Sequence, residues 1–325
     1  MPDALLFTVV GYVQMALLLL IPLELYLASR GLINATYDPR DTLANIAVSI
    51  GSIVCWGTMS FLLLGVVTAA YQHRLMSIPF TGLTFAIVFV LEDLRYYLWH
   101  RISHRVRWFW ASHVVHHSSQ HFNLSTNLRQ SWTSQFSGLI LMGVPLAYLG
   151  FHPAMVGLAF SLNLVYQFWI HTESVTRLPA WFEWWFNTPS HHRVHHASNP
   201  RYLDANYAGV FMIWDRLFGS FVAEHAAEPA RYGLVRDLST FNPLRIAFHE
   251  YVAIARDLGR PGLRTGQRLG YLFAPPGWTH AGERHTTREL RELDAAQRGH
   301  RGDARPDALP REALHRRSPM QDSSD

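Results

Sequence analysis

Long apolar runs in the first half of the chain constrain its fold more than any other feature of the sequence. A helix that crosses a bilayer needs roughly 20 apolar residues. Apolar runs cover residues 5–27, 43–71, 78–99, 136–149 and 153–170. The first is too long for a signal-peptide core and lacks a basic leader, so we interpret it as a retained span. The last two runs form either two spans or a tight helical hairpin. Because no useful strand-like alternation appears, we predict an all-α integral membrane protein with a stem of four to five apolar helices.

The distribution of arginine predicts how these spans are oriented. All 28 basic residues are Arg, and they gather beside the apolar runs and in the C-terminal tail, which favours a membrane surface over nucleic acid as a partner. Short cytoplasmic loops are enriched in Arg. Arg30 and Arg40 follow the first run, and Arg101, Arg105 and Arg107 follow the third, whereas the loop after the second run has only Arg74. We therefore expect a multi-pass protein with an outside N terminus and all histidine-rich segments on the cytoplasmic face.

Hydropathy also divides the chain into regions. The mean hydropathy of +0.02 averages an apolar first half with a polar remainder. Residues 172–278 are expected to form a helical cytoplasmic cap, so that residues 1–278 make one membrane domain with its diagnostic motifs in 85–222. Residues 279–325 are rich in charge and poor in large apolar side chains, which predicts a disordered polar tail. The single cysteine, Cys55, excludes a disulfide framework and a cysteine-based metal site.

Histidine recurs at the spacing of metal ligands. Residues three or four apart on a helix share one face, and imidazole is the commonest metal ligand. The sequence carries one HxxxH pair and two HxxHH triplets, namely His100 and His104; His113, His116 and His117; and His192, His195 and His196. Eight imidazoles exceed what one ion can bind, so the pattern predicts at least two metal ions.

Several residues near these motifs are further candidates. His171 ends the fifth apolar run and is predicted to be a ninth ligand, and Gln167, one turn earlier on the same face, is a weaker candidate. His191 is a reserve ligand, although its side chain should point away from the metals if its segment is helical. A ligating imidazole usually donates its other N–H to a carboxylate or carbonyl. Asp93, two turns before the first motif, and Asp204, after the last, are the candidate carboxylates for that role.

The composition of the ligand set indicates which metals bind. The absence of HExxH weakens a protease interpretation, and structural zinc sites take four ligands, often including cysteine. A nitrogen-rich, cysteine-free site beside the bilayer suits two iron ions and dioxygen. The resulting hypothesis is oxidation of a lipid C–H bond, by hydroxylation or desaturation. A zinc-dependent membrane hydrolase and a non-catalytic metal-binding or transport protein remain alternatives. Transport is disfavoured because a path through the bilayer needs polar residues, and the spans carry few of them.

These motifs and their surroundings resemble the fatty acid hydroxylase and sterol desaturase superfamily. The resemblance rests on residues 92–101, 113–118, 123–126, 166–173, 188–196 and 214–219, and it continues loosely to Trp278. Within the superfamily the chain is most similar to the alkylglycerol monooxygenase branch. The resemblance implies an integral-membrane, non-haem diiron enzyme that oxidises a lipid, such as an ether lipid. It also implies that the nine histidines named above are the ligands.

The sequence departs from that branch at two positions. Arg105 stands where the branch tends to carry an acidic residue, and Gln167 stands where several superfamily members have histidine. No haem-binding domain and no glycine-rich dinucleotide fingerprint appears in the sequence, so the two electrons are expected from an external donor. The resemblance implies a reduced pterin, tetrahydrobiopterin, as that donor, and a redox protein is the alternative.

Overall fold

A computed structural model describes residues 2–301. Within this range the chain is helical, and the only β contacts are two isolated antiparallel bridges. The helices are α1 (Pro2–Leu18), α2 (Leu20–Ser29), α3 (Pro39–Gln72), α4 (Gly82–Arg105), α5 (Arg107–His117), α6 (Val144–Leu149), α7 (Pro153–Phe168), α8 (Ala180–Trp185), α9 (Pro189–His196), α10 (Ile213–Leu217), α11 (Pro243–Leu258), α12 (Thr265–Phe273) and α13 (Thr287–Arg301). Two short 3-10 helices, Leu124–Leu128 and Leu139–Gly143, lie between α5 and α6. The all-α prediction is confirmed over the described residues.

Among the described residues, two stretches are long and apolar enough to cross a membrane, Leu6–Ser29 and Pro39–Gln72. Only 6% of the most apolar part of each is buried within the protein. The core helix of a soluble protein would be mostly buried, so these exposed apolar surfaces indicate a membrane protein. The first stretch is divided at Leu19 because Pro22 lacks an N–H and its ring crowds the carbonyl of Leu18, four residues earlier.

Helix α3 connects the apolar stem to the histidine-bearing part of the molecule. Its 34 residues would extend about 51 Å, whereas the hydrocarbon core of a bilayer is about 30 Å thick. The helix begins at a side-chain cap, where Asp38 accepts a hydrogen bond from the Asp41 amide at 2.9 Å. Near this end Val48 packs with Val115 of α5 and Ile246 of α11. The first turns of α3 are therefore part of the same core as the metal-site helices.

Helices α4, α6 and α7 lie in the other three predicted apolar runs, and none of them is among the described stretches long and apolar enough to cross a membrane. Helix α4 continues past the predicted apolar run, so His100 and His104 lie on its last turns. Helix α6 has only six residues, too few to cross a bilayer, which favours the hairpin interpretation of the last two apolar runs. The turn between α6 and α7 requires glycine, because Gly150 has φ +125° and an added Cβ would lie 2.0 Å from the Met76 carbonyl oxygen.

The structure differs from the predicted disordered tail over residues 279–301. Helix α13 forms there, and Arg298 makes ion pairs with Asp294 at 2.8 Å and with Glu228 at 2.9 Å. Pairs four residues apart stabilise a helix that buries little apolar surface, which hydropathy alone does not reveal. The rest of the predicted tail, residues 302–325, lies outside the described residues.

Candidate metal centre

The nine predicted histidines come together from α4, α5, the turn that follows α7, and α9. They form two groups, which we name by their number of histidines. The five-membered group contains His100, His104, His113, His117 and His195, and the four-membered group contains His116, His171, His192 and His196. Within each group one ring nitrogen per residue lies within 4.8 Å of the others, and all nine side chains are buried. The fold thus gathers side chains nearly 100 residues apart in the sequence into two adjacent imidazole clusters.

The two HxxHH motifs are divided between the groups in a reciprocal way. Helix α5 gives His113 and His117 to the five-membered group and His116 to the four-membered group. Helix α9 does the reverse, with His192 and His196 in the four-membered group and His195 in the other. The first and last histidines of HxxHH are four residues apart and share a face, whereas the middle histidine, three residues after the first, is rotated toward the neighbouring group. The HxxHH spacing therefore lets each helix serve both groups.

Backbone carbonyls orient four of these imidazoles. The Nδ1 atoms of His100, His116, His171 and His195 lie 2.8, 3.3, 2.8 and 2.9 Å from the carbonyl oxygens of Tyr207, Arg129, Gln167 and Ala205, respectively. A carbonyl oxygen can only accept, so each Nδ1 must carry the proton. In a neutral ring this leaves Nε2 with an unprotonated lone pair, the form that binds a metal.

The contact between His116 and His171 cannot be a hydrogen bond between neutral rings. Their Nε2 atoms lie 3.1 Å apart, yet both Nδ1 atoms already carry the protons. Two lone pairs at this distance repel each other unless a cation lies between them. A metal–imidazole bond is about 2.1 Å long, so two nitrogens bound to one ion at right angles would be about 3.0 Å apart. This pair therefore fits a shared metal ion.

Other nitrogen contacts in the two groups have the same spacing. Nε2 of His113 lies 2.9 Å from that of His100 and 3.1 Å from that of His117, and Nε2 of His192 lies 2.9 Å from that of His171. The buried Nε2 atoms of His104 and His195 have no hydrogen-bond partner, which is costly for a buried polar atom. Each group thus presents converging nitrogens with unmet bonding capacity.

Burial keeps these imidazoles neutral. Desolvation lowers the pKa of His116 to about 4 and that of His195 to about 3, and it lowers the pKa of the other seven well below the ordinary value. Neighbouring imidazoles lower several of these pKa values further because like charges repel. Metal binding at neutral pH would therefore have few protons to displace.

The two predicted carboxylates have different surroundings. Asp204 lies near the centre, with its Oδ1 3.5 Å from Nδ1 of His104 and its Oδ2 3.7 Å from Nε of Arg105. Asp93 contacts none of the nine imidazoles; it accepts hydrogen bonds from Asn163, Trp214 and the amides of Val210 and Phe211. Asp93 thus supports the packing of α4 against α7 and the 210–214 segment, so the expectation that it orients an imidazole is not met.

Gln167 and His191 lie outside both histidine groups. The Gln167 side chain donates to Oδ1 of Asn163, and its contribution to the imidazoles is its carbonyl, which binds His171. Nδ1 of His191 is 3.4 Å from the Thr188 hydroxyl, and its ring packs on Phe221. His191 therefore points away from the groups, as a helical segment predicts.

Sequence reasoning missed the residues that hold the carbonyl acceptors in place. Buried Asp215 accepts from the amides of Tyr207 and Ala208 at 2.9 and 2.8 Å and from the Ser220 hydroxyl at 2.7 Å. These three hydrogen bonds fix the segment around Tyr207, whose carbonyl accepts from Nδ1 of His100. Only the WDRLFG motif around Asp215 signalled its importance, because carbonyl positions cannot be deduced from residue types.

A cavity of about 930 Å³ adjoins the imidazoles and extends among the apolar helices. Its walls come from α1, α3, α4 and α7, and His113, His116 and His171 lie on its lining beside Tyr96 and Trp99. Most of the remaining lining is apolar, and its polar residues are serine, asparagine and glutamine side chains and the ion pair of Glu92 with Arg95. A long apolar cavity that reaches a polar site is the usual form of a site for an apolar ligand.

The fold and the site together define the class of protein. A family model described as fatty acid hydroxylase matches residues 85–220. This part of the chain contains all eight histidines of the HxxxH and HxxHH motifs and also His171. Residues 85–220 are therefore a fatty acid hydroxylase domain, as the sequence motifs predict.

Several named proteins are similar to part of this chain. The chain is 40% identical over 221 residues to alkylglycerol monooxygenase of Xenopus tropicalis, covering 66% of this chain and 48% of that protein. It is 41% identical over 209 residues to alkylglycerol monooxygenase of Homo sapiens, covering 64% and 45%, and 30% identical over 152 residues to human cholesterol 25-hydroxylase, covering 44% and 52%. The chain spans about half the length of these relatives, and no solved structure matches it. Over the matched residues the chain is thus similar to alkylglycerol monooxygenases, as its motifs predict.

Proposed function

We propose that this protein is a membrane-bound, non-haem diiron monooxygenase that inserts one oxygen atom of dioxygen into a lipid C–H bond. The observation that carries the proposal is a pair of unprotonated nitrogens within the nine buried imidazoles. These are the Nε2 atoms of His116 and His171, which lie 3.1 Å apart. The five-membered group would hold one ion and the four-membered group the other. Iron bound there would supply reductive activation of dioxygen.

The chain's own residues give this site its properties. Carbonyl acceptors fix four imidazoles as Nδ1–H tautomers, and burial keeps the donor set neutral. Asp204 lies where it would orient His104. A set of neutral ligands leaves the positive charge of two ions uncompensated, which favours a strongly oxidising site.

The overall reaction needs a reductant. One oxygen atom enters the lipid and the other leaves as water, so each turnover consumes two electrons and two protons. An external donor would provide them, either a reduced pterin or a redox protein.

The cavity supports a lipid as substrate. It lies among the helices that carry the exposed apolar surface, so an alkyl chain can enter from the bilayer with little exposure to water. The relatives named alkylglycerol monooxygenase suggest an ether lipid. Hydroxylation of the carbon beside the ether oxygen would give a hemiacetal, which breaks down to an aldehyde and an alcohol. Loss of a second hydrogen instead would give a desaturated product.

The proposed placement in the membrane follows the arginine distribution. The domain over residues 1–278 would have four to five apolar helices in its stem, with an outside N terminus and both histidine groups on the cytoplasmic face. The remaining residues, 279–325, would form a polar C-terminal extension that includes α13.

The test is oxygen incorporation by the purified, iron-loaded protein in lipid nanodiscs. We expect one 18O atom from 18O2 in the product of an alkylglycerol when a reduced pterin is present. His116→Ala and His195→Ala should abolish incorporation, whereas His191→Ala, a change of the same kind beside the site, should retain it. Equal turnover without oxygen or with zinc in place of iron would instead support the hydrolase alternative.

A further inference from the structure

The outer face of α11 carries a row of exposed apolar side chains. Leu244, Phe248 and Val252 are spaced four residues apart, and their exposed fractions are 59%, 38% and 45%. Ile246 and Ile254, on the opposite face of the helix, are buried. Side chains four apart on a helix lie one above the other, so α11 has one apolar face packed on the protein and a second apolar stripe that is partly exposed.

Helix α12, which packs against α11, also carries exposed apolar side chains, and we count them with the stripe. Leu269 and Phe273, again four residues apart, are 51% and 54% exposed. The inner side of α12 is anchored by Tyr271, which is fully buried. Exposed apolar side chains on two consecutive helices that pack together are more than isolated exposed residues.

The stripe is continuous with the surface of the apolar span α3. An apolar groove of about 300 Å³ joins them, lined by Cys55 of α3, Phe248 and Tyr251 of α11, and Trp108, Trp132, Thr133 and Phe136 between them. The rings of Trp132 and Phe248 are 5.9 Å apart, and the Trp132 indole N–H donates to the Val48 carbonyl of α3 at 2.7 Å. The lipid-facing surface of α3 therefore passes onto α11 without a polar break.

The charge beside the stripe is positive. Arg245 and Arg256 of α11 are exposed on one flank of the stripe. The two acidic side chains of α11, Glu250 and Asp257, instead face inward and bind the buried Arg107 at 2.7 Å each. A helix with an apolar stripe bordered by arginines matches the pattern of helices that lie in a membrane interface, where arginine meets lipid phosphate.

We propose that α11 and α12 lie flat in the interfacial layer of the same bilayer that α3 crosses, with their apolar stripe among the acyl chains and the flanking arginines at the phosphates of anionic lipids. This inference rests on the membrane placement in the proposed function. It means that the histidine-bearing part of the chain is held against the membrane surface, with the groove beside α3 open to lipid.

Depth-dependent fluorescence quenching tests the proposal on the full chain. Cys55→Ser removes the only cysteine, and single cysteines are then introduced by Leu244→Cys or Leu269→Cys in the stripe. Phe61→Cys, 79% exposed in the apolar middle of α3, is the control inside the bilayer, and Arg288→Cys, whose side chain is 87% exposed on α13, is the control in water. Each variant carries an environment-sensitive dye and is placed in nanodiscs whose phosphatidylserine-containing lipids are brominated near the headgroup or near the chain end.

The expected result separates three depths. Dyes at positions 244 and 269 should be quenched most by shallow bromines, consistent with burial about 5–10 Å into the headgroup and acyl boundary. The dye at 61 should be quenched most by deep bromines and the dye at 288 by neither. If the stripe dyes behave like the dye at 288 while the dye at 61 is quenched, the interfacial proposal is wrong and the span is retained. If the dye at 61 is not quenched either, the proposed membrane placement itself fails.

Discussion

Arg129 offers the sharpest test of how the apolar stem is coupled to the metal centre. It is almost fully buried and binds Asp41 of α3 at 2.6 Å, Asn45 of α3 at 2.6 Å and the Ser118 hydroxyl at the end of α5 at 3.0 Å. Its carbonyl accepts from Nδ1 of His116. One side chain thus links a span to the segment that orients a proposed ligand. We predict that Arg129→Met destabilises the protein and weakens metal binding in the four-membered group.

The magnitude follows from the burial of the ion pair. Removing one member leaves Asp41 buried without its partner, which typically costs about 3–5 kcal/mol. For a domain of this size each kcal/mol corresponds to a fall in Tm of about 2 °C, so Arg129→Met should lower Tm by about 6–10 °C. Replacing both members by apolar residues removes the unpaired charge, and such replacements are often neutral. The double variant Asp41→Leu/Arg129→Met should therefore recover most of the loss.

Thermal unfolding followed by tryptophan fluorescence in nanodiscs provides the assay. The wild type, both single variants and the double variant form a complete cycle, and the metal content of each is measured in parallel. A single variant as stable as wild type, or a double variant no more stable than Arg129→Met, would show that the pair does not couple the span to the site.

Three further predictions concern the site directly. In metal-free protein, the contribution of His116 and His195 to stability should be constant above about pH 6.5 and fall as pH drops below it. The reason is that these imidazoles bind protons in the unfolded chain but not in the folded protein, where burial lowers their pKa values to about 4 and about 3. Equal Tm values at pH 5 and pH 7.5 would refute this prediction. Gly209→Ala should cost about 1–3 kcal/mol, because the added Cβ would lie 2.9 Å from Oδ1 of Asp93, and chemical denaturation measures the loss. Asp204→Asn should weaken metal binding about 10–100-fold in a competition assay with a chelator, while unchanged affinity would mean that Asp204 does not orient its imidazole.

Much of the site could be predicted from the sequence because its ligands obey helical periodicity. The spacing of His113, His116 and His117 signals ligands without any knowledge of the fold. The division of each triplet between two groups could not be predicted, because it depends on how α5 and α9 face each other. His171, a single histidine with no motif of its own, was identified from its position at the end of an apolar run.

The environment of the ligands was the part that sequence reasoning could not provide. The sequence favoured carboxylates as the groups that orient imidazoles, and Asp204 lies close enough to His104 for that role. The structure instead assigns four imidazoles to backbone carbonyls, which every residue possesses and no sequence pattern reveals. Asp93, chosen for its helical phase, binds the chain around Val210 and Phe211 instead.

The fold shows a similar division. Apolar length predicted the two stretches long enough to cross a bilayer, Leu6–Ser29 and Pro39–Gln72, because a spanning helix requires it. Hydropathy did not predict α13, which depends on ion pairs such as Arg298 with Glu228. Nor did it distinguish the outer stripe of α11 from an ordinary core-facing surface, because both faces of that helix carry apolar residues.

The most direct test of the account is the metal content of the purified protein, determined by elemental analysis together with Mössbauer spectroscopy. We predict two iron ions per chain in the wild type and in His191→Ala, and a loss of bound iron in His192→Ala, which removes a group member one residue further along the same helix. Fewer than two ions in the wild type, a closed-shell metal such as zinc in place of iron, or equal iron content in both variants would contradict the proposal that the two histidine groups form a diiron centre.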